Sequence, residues 1–189
     1  TQTAALGFGS LTNTESWNGS SWSSVNSLNT ARRGGAGSGT QPAALYFGGQ
    51  INDSPYASLD ATEEWDGTNW TAGGALSTGR LGLAGFGTQT ASLACGGQSG
   101  SNPFTTRDIV ESYNGSSWTS APSLLSAKRN RPGGAGTTTV GLVFGGIVDP
   151  GNSNSAATEG YDGTSWSTRP SLGTARYGLG SASPGTACL

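Results

Sequence analysis

WNGSSW (17–22), WDGTNW (65–70), YNGSSW (113–118) and YDGTSW (161–166) are four versions of one hexapeptide, and their first residues recur every 48 positions. Self-similarity at this length marks stacked supersecondary units, because one such unit cannot bury its own apolar face. In each copy an aromatic ends one strand, Asn-Gly or Asp-Gly supplies two residues that tolerate positive φ in a tight turn, and a Trp opens the return strand. Each hexapeptide therefore predicts a β-hairpin tip. The aromatics Trp17, Trp22, Trp65, Trp70, Tyr113, Trp118, Tyr161 and Trp166 are expected to pack between neighbouring sheets, since large aromatics dominate core burial. A set of sugar-stacking platforms is the rival reading.

Upstream of each hexapeptide lies an apolar run closed by glycine: TQTAALGFG (1–9), TQPAALYFGG (40–49), TQTASLACGG (88–97) and TTTVGLVFGG (137–146). Such a run, bounded by Gly, predicts a strand buried on both faces. A Gly/Ala-rich stretch with a basic head precedes the next such run: ARRGGAGSG (31–39), GRLGLAGFG (79–87), AKRNRPGGAG (127–136) and ARYGLGSAS (175–183). With no bulky side chains it suits the place where several sheets converge, so it is expected to be the innermost strand. NTESW, ATEEW, IVESY and ATEGY then form a third strand, and SWSSV, NWTAG, SWTSA and SWSTR a fourth. The fold class is all-β, one domain over 1–189 built from four-stranded antiparallel units at about 1–30, 31–78, 79–126 and 127–174. Residues 175–189 supply closing or extra strands.

The chain has 33 Gly, 11% charged residues, no His, no Met and a net charge of -2. Gly, Ser, Thr and Asn at this density could belong to a disordered segment, but six Trp, five Tyr and five Phe at regular spacing argue for order. Scattered Arg without a basic stripe disfavour nucleic-acid binding, and no run of 18 apolar residues spans a membrane. The chain opens at Thr1 without a Met or a charged-then-apolar leader, as a processed, excised or incompletely read chain would. Cys95 and Cys188 form no disulfide framework; each reads as a small buried hydrophobe, and a bridge between them is left open. Two lone thiols and no His give no metal site, and no cofactor is expected.

Repeated four-stranded units with Gly-Gly after the second strand, and an aromatic before a turn and a Trp, resemble the kelch family of β-propellers. The resemblance is carried by Gly48-Gly49, Gly96-Gly97 and Gly145-Gly146, then Trp65, Tyr113 and Tyr161, then Trp70, Trp118 and Trp166, with Arg80, Lys128 and Arg176 opening the next blade. It covers essentially the whole chain, and its wording is most similar to degenerate propeller repeats of tailed-bacteriophage structural proteins and bacterial surface proteins. The first blade departs from the pattern, with Phe8-Gly9-Ser10 in place of Gly-Gly and a shorter loop. A ring of four blades is expected to close by pairing 177–182 against 3–8, leaving TACL (186–189) as one strand too many.

Glu15, Glu63, Glu111 and Glu159 share one phase of the repeat, and Arg32, Arg80, Lys128 and Arg176 another. They are expected to form a repeated structural ion pair, since a buried charge needs a partner; a basic ring that receives an anion is the alternative. Catalysis is not expected. Copper chemistry of the galactose oxidase kind needs His ligands, Asp66-Gly67-Thr68-Asn69-Trp70 does not match the Asp-box of sialidases, and neither a Ser-His-Asp arrangement nor a phosphate loop with Lys is present.

Recognition is expected on the variable loops 50–61, 98–109 and 147–157 and the adjoining basic heads, which topology brings to one face. The candidates there are Tyr56, Phe104, Asp53, Asp108, Asp149, Arg33, Arg129 and Arg131. The favoured function is a non-catalytic structural or recognition subunit of an extracellular or virion assembly, a phage fibre or surface filament, in contact with itself or other subunits. A lectin-like propeller binding surface glycans and a kelch-type protein-interaction scaffold are the alternatives.

Overall fold

A computed structural model describes residues 3–51, 56–100, 105–129, 131–148 and 153–180. Every regular element among them is a β-strand. In one sheet Ala36–Thr40, Ala43–Phe47, Thr62–Trp65 and Trp70–Ala72 pair antiparallel in chain order. Ala84–Gly87, Ser92–Cys95, Val110–Tyr113 and Trp118–Ala121 repeat that order, as do Gly133–Gly136, Gly141–Phe144, Thr158–Tyr161 and Trp166–Arg169. These sheets are propeller-like blades.

The first sheet is built differently. Trp22–Val25, Asn13–Trp17 and Ala5–Leu11 pair in order, but the remaining strand is the short Arg32–Arg33, held against Ser10 and Leu11. The expected closure of 177–182 on 3–8 is not made over 177–180, which belong to no strand. Gly178, at φ 71°, turns the backbone there, and the Leu179 N–H donates to the Arg131 carbonyl at 3.1 Å. Residues 181 and 182 and the TACL segment lie outside the described residues.

The innermost strands are shorter than the sequence suggests. Positive φ at Gly34 and Gly82 separates the basic head from the Gly/Ala strand, and the heads pair with the loops that follow Gly-Gly: Arg33 with Gln50, Leu81 with Gln98, Arg129 with Ile147. Heads and loops thus meet at one end of the sheets. Small residues on the inner strands are required by close approach. A Cβ at Gly85 would stand 2.6 Å from Phe47 Cζ and 2.9 Å from Ala36 Cβ, so the ring of one sheet occupies the space a side chain of the next would need.

The hairpin tips differ from expectation in one respect. Trp17 faces Trp22 and Trp65 faces Trp70 across loops of four residues, and only the glycine of each has positive φ. The Asn or Asp acts as an acceptor. Asp66 Oδ1 takes the N–H of Thr68 at 2.8 Å and of Asn69 at 2.7 Å, and Asn18, Asn114 and Asp162 take the equivalent pairs. These bonds hold the Asp66 and Asp162 carboxyls below the ordinary carboxylate range. Their support is therefore present above the ordinary Asp value and is lost as pH falls through the depressed folded value, whereas the Asn turns do not titrate.

Gly67, at φ 95°, fixes the cost of changing such a turn. Gly67→Val is expected to lose about 1–3 kcal/mol by urea denaturation. Gly180→Val, with no positive φ and, among the described residues, no atom within 4 Å of its Cβ position, is expected to stay within about 0.5 kcal/mol. Equal losses would contradict the turn assignment. Gly100, a loop glycine at φ 96°, shares the backbone penalty and is no control.

Candidate functional site

The periodic charges fall between sheets. Arg32 pairs with Glu63, Arg80 Nη2 with Glu111 Oε1 at 2.7 Å, and Lys128 Nζ with Glu159 Oε1 at 3.4 Å, all almost wholly buried. Each carboxylate also ties down the segment connecting two sheets. Glu63 accepts the N–H groups of Asn29 and Thr30, Glu111 that of Ser77, and Glu159 that of Leu125 together with the Ser126 hydroxyl. The hexapeptide Trp is the second part of this junction. Trp70 Nε1–H donates to Thr14 Oγ1 at 3.0 Å in the preceding sheet, and Trp118 to Thr62 Oγ1 at 2.9 Å. At the position equivalent to Thr14 and Thr62 the third sheet has Val110, which offers no side-chain acceptor, and the Trp166 N–H goes to the Pro122 carbonyl at 2.8 Å instead.

A cation enclosed with its own carboxylate cannot receive a ligand, so Arg32, Arg80 and Lys128 serve the junctions. Glu15 and Arg176 do not make the fourth pair: both are exposed, and neither has an ion-pair partner among the described residues. Tyr113 donates its hydroxyl to Glu64, and burial with that carboxylate pushes it up to about 12. Cys95 is fully buried and free, and burial raises its thiol far above the ordinary value, which leaves it a small inert hydrophobe.

Where heads and loops meet, a cavity of about 290 Å³ is lined by Arg33, Gly34, Gln50, Leu81, Gly82, Arg131, Tyr177 and Gly178. With the Gln50 amide oriented to satisfy both donors, its oxygen accepts from Arg33 Nη2 at 3.1 Å and Nε at 3.2 Å. Arg131 is held in the left-handed region at φ 56°, with its N–H donated to the Gly82 carbonyl at 2.8 Å. A non-glycine residue there stores of order 1–3 kcal/mol of strain. Arg33 and Arg131 are both exposed and have no carboxylate partner among the described residues.

Of the residues singled out from sequence, Arg33 and Arg131 are brought together here. Tyr56, 46% exposed, and Asp108, whose carbonyl accepts the Leu124 N–H at 2.9 Å, do not line the cavity. Asp53, Phe104 and Asp149 lie outside the described residues, and of Arg129 only the backbone pairing with Ile147 is described. Gln50 and Tyr177 escape a search by charge. Tyr177 carries a usable signal all the same, because it stands in the phase of Arg33 and Leu81.

The sheets and their junctions define an all-β protein of propeller-like blades. A solved structure of YjhT is similar to this chain, with a TM-score of 0.72 at 11% sequence identity, over 92% of this chain and 66% of that one. The chain thus spans about two thirds of the structure it matches, and at that identity the likeness is one of fold alone. No protein-family model and no curated protein sequence matches it.

Proposed function

We propose that this chain is a non-catalytic, kelch-like recognition module of an extracellular assembly, and that the cavity between Arg33 and Arg131 takes a carboxylate-bearing sugar of a surface glycan. One observation carries the reading: two arginines without acidic partners among the described residues converge on a cavity that also presents the Gln50 amide and the Tyr177 ring. Guanidinium groups suit a carboxylate, an amide suits hydroxyls, and an aromatic face suits the apolar side of a sugar ring. A volume of about 290 Å³ lies at the lower edge of the range of small-ligand sites. The scarcity of Lys and Glu and the wording of the hexapeptides support the extracellular setting.

An array of acidic and neutral glycans probed with the native protein, Arg33→Gln and Arg131→Gln tests this. Binding is expected to favour acidic glycans, to weaken with salt, and to fall about tenfold or more in each variant. Binding indifferent to glycan charge, or unchanged in both variants, would overturn the reading.

A further inference from the structure

The buried ion pair and packed Trp between sheets recur three times, and the two halves of such a junction are then left open at opposite ends of the described fold. In the first two of these junctions the Trp of one sheet meets an aromatic of the sheet before it: Trp70 stands 5.0 Å from Phe8 and Trp118 4.8 Å from Phe47, ring to ring. Among the described residues no sheet covers Trp22 of the first sheet, which is 52% exposed, against 5%, 8% and 7% for Trp70, Trp118 and Trp166. Beside it Glu15, in the phase of Glu63, Glu111 and Glu159, meets no cation and no connecting segment among the described residues.

The other half stands on the fourth sheet. Leu172 N–H donates to the Ala156 carbonyl at 2.8 Å, Arg176 N–H to Ser155 at 3.1 Å, and Gly146 N–H to the Arg176 carbonyl at 2.9 Å. Leu124, Lys128 and Gly97 make the same three bonds one junction earlier, to Asp108, Arg107 and Lys128. The connecting segment is therefore already seated, which puts Arg176, Gly173 and Thr174 at the repeat positions of Lys128, Leu125 and Ser126, the residues that meet Glu159. Phe144 and Thr158 hold the places that Phe47 and Thr62 hold beneath Trp118.

The geometry points to a second copy of this chain as the occupant of both faces: the fourth sheet of one molecule takes the first sheet of the next, head to tail. Trp22 then lies on Phe144 and donates to Thr158, while Glu15 receives Arg176 and the 173–174 backbone. Charge, ring and hydrogen-bonding groups all match in one register, and the contact is heterologous, each copy giving one face and receiving the other. This goes beyond the ligand reading and does not rest on it.

Sedimentation velocity over a concentration series tests it with Glu15→Arg and Arg176→Glu. Both positions are exposed, so both variants are expected to keep the native circular dichroism spectrum. The native protein is expected to associate reversibly, and each variant alone to associate at least about tenfold more weakly, because like charges face each other across the contact. Mixing the two variants restores opposite charges at every contact and is expected to restore association. A native protein that stays monomeric throughout the series would overturn the proposal, as would association that neither reversal weakens. The Glu15→Arg/Arg176→Glu double variant likewise restores opposite charges at every contact and is expected to associate, so a double variant that stays monomeric would overturn the proposal equally.

Discussion

Glu111→Ala is expected to cost about 3–5 kcal/mol of stability, because it strands a cation that water cannot reach. Arg80 is 0% exposed, its Nη2 bonds to Glu111 at 2.7 Å, and its Nη1 donates to the Gly96 and Ile109 carbonyls at 2.7 and 2.9 Å. Removing the carboxylate leaves that charge in place with only neutral acceptors, and the Ser77 N–H loses its partner as well. The same change at Glu15 supplies the control within one chain. Glu15 occupies the same phase but is exposed and unpaired, so Glu15→Ala is expected to stay within about 0.5 kcal/mol. Urea denaturation of the two variants measures the contrast, and similar losses would mean that the ion pairs do not hold the sheets together.

Trp118→Ala is expected to cost a similar amount, about 3–5 kcal/mol, for an apolar reason. Its ring is packed between Phe47 at 4.8 Å and Tyr113 at 4.9 Å, and loss of its indole leaves the buried Thr62 hydroxyl without a donor. Trp22→Ala removes the same side chain from a face that is open, and is expected to cost under about 1 kcal/mol in the dilute monomer. Thermal unfolding at low protein concentration separates the two. A large loss at Trp22 under those conditions would show that its face is already covered within one molecule.

The strands were legible because their signals are local. Apolar runs ending in Gly-Gly, an Asn-Gly or Asp-Gly before a Trp, and Gly/Ala inner stretches each declare themselves within ten residues, as Gly85 beneath Phe47 illustrates. Periodicity also pointed to the partnership of Arg80 with Glu111, since a repeated buried cation needs a repeated anion. The fate of Glu15 and Arg176 was not legible, because ring closure depends on the angle between successive sheets and no residue pattern states that angle. Similarly, charge drew attention to Arg33 and Arg131, but their meeting depends on the turn at Gly34 and the left-handed backbone at Arg131. Gln50 joins them through a backbone bridge to Arg33, a contact across the fold with no sequence signature.

The most direct test of the functional account is an NMR titration that follows the side-chain Nε–Hε signals of Arg33 and Arg131, with glucuronate as the acidic ligand and glucose as its neutral counterpart. The account predicts that both signals move with glucuronate, saturate together, and stay still with glucose, while the buried Arg80 is unaffected by either. Saturable glucuronate binding that leaves Arg33 and Arg131 unshifted, or shifts of equal size with glucose, would contradict it.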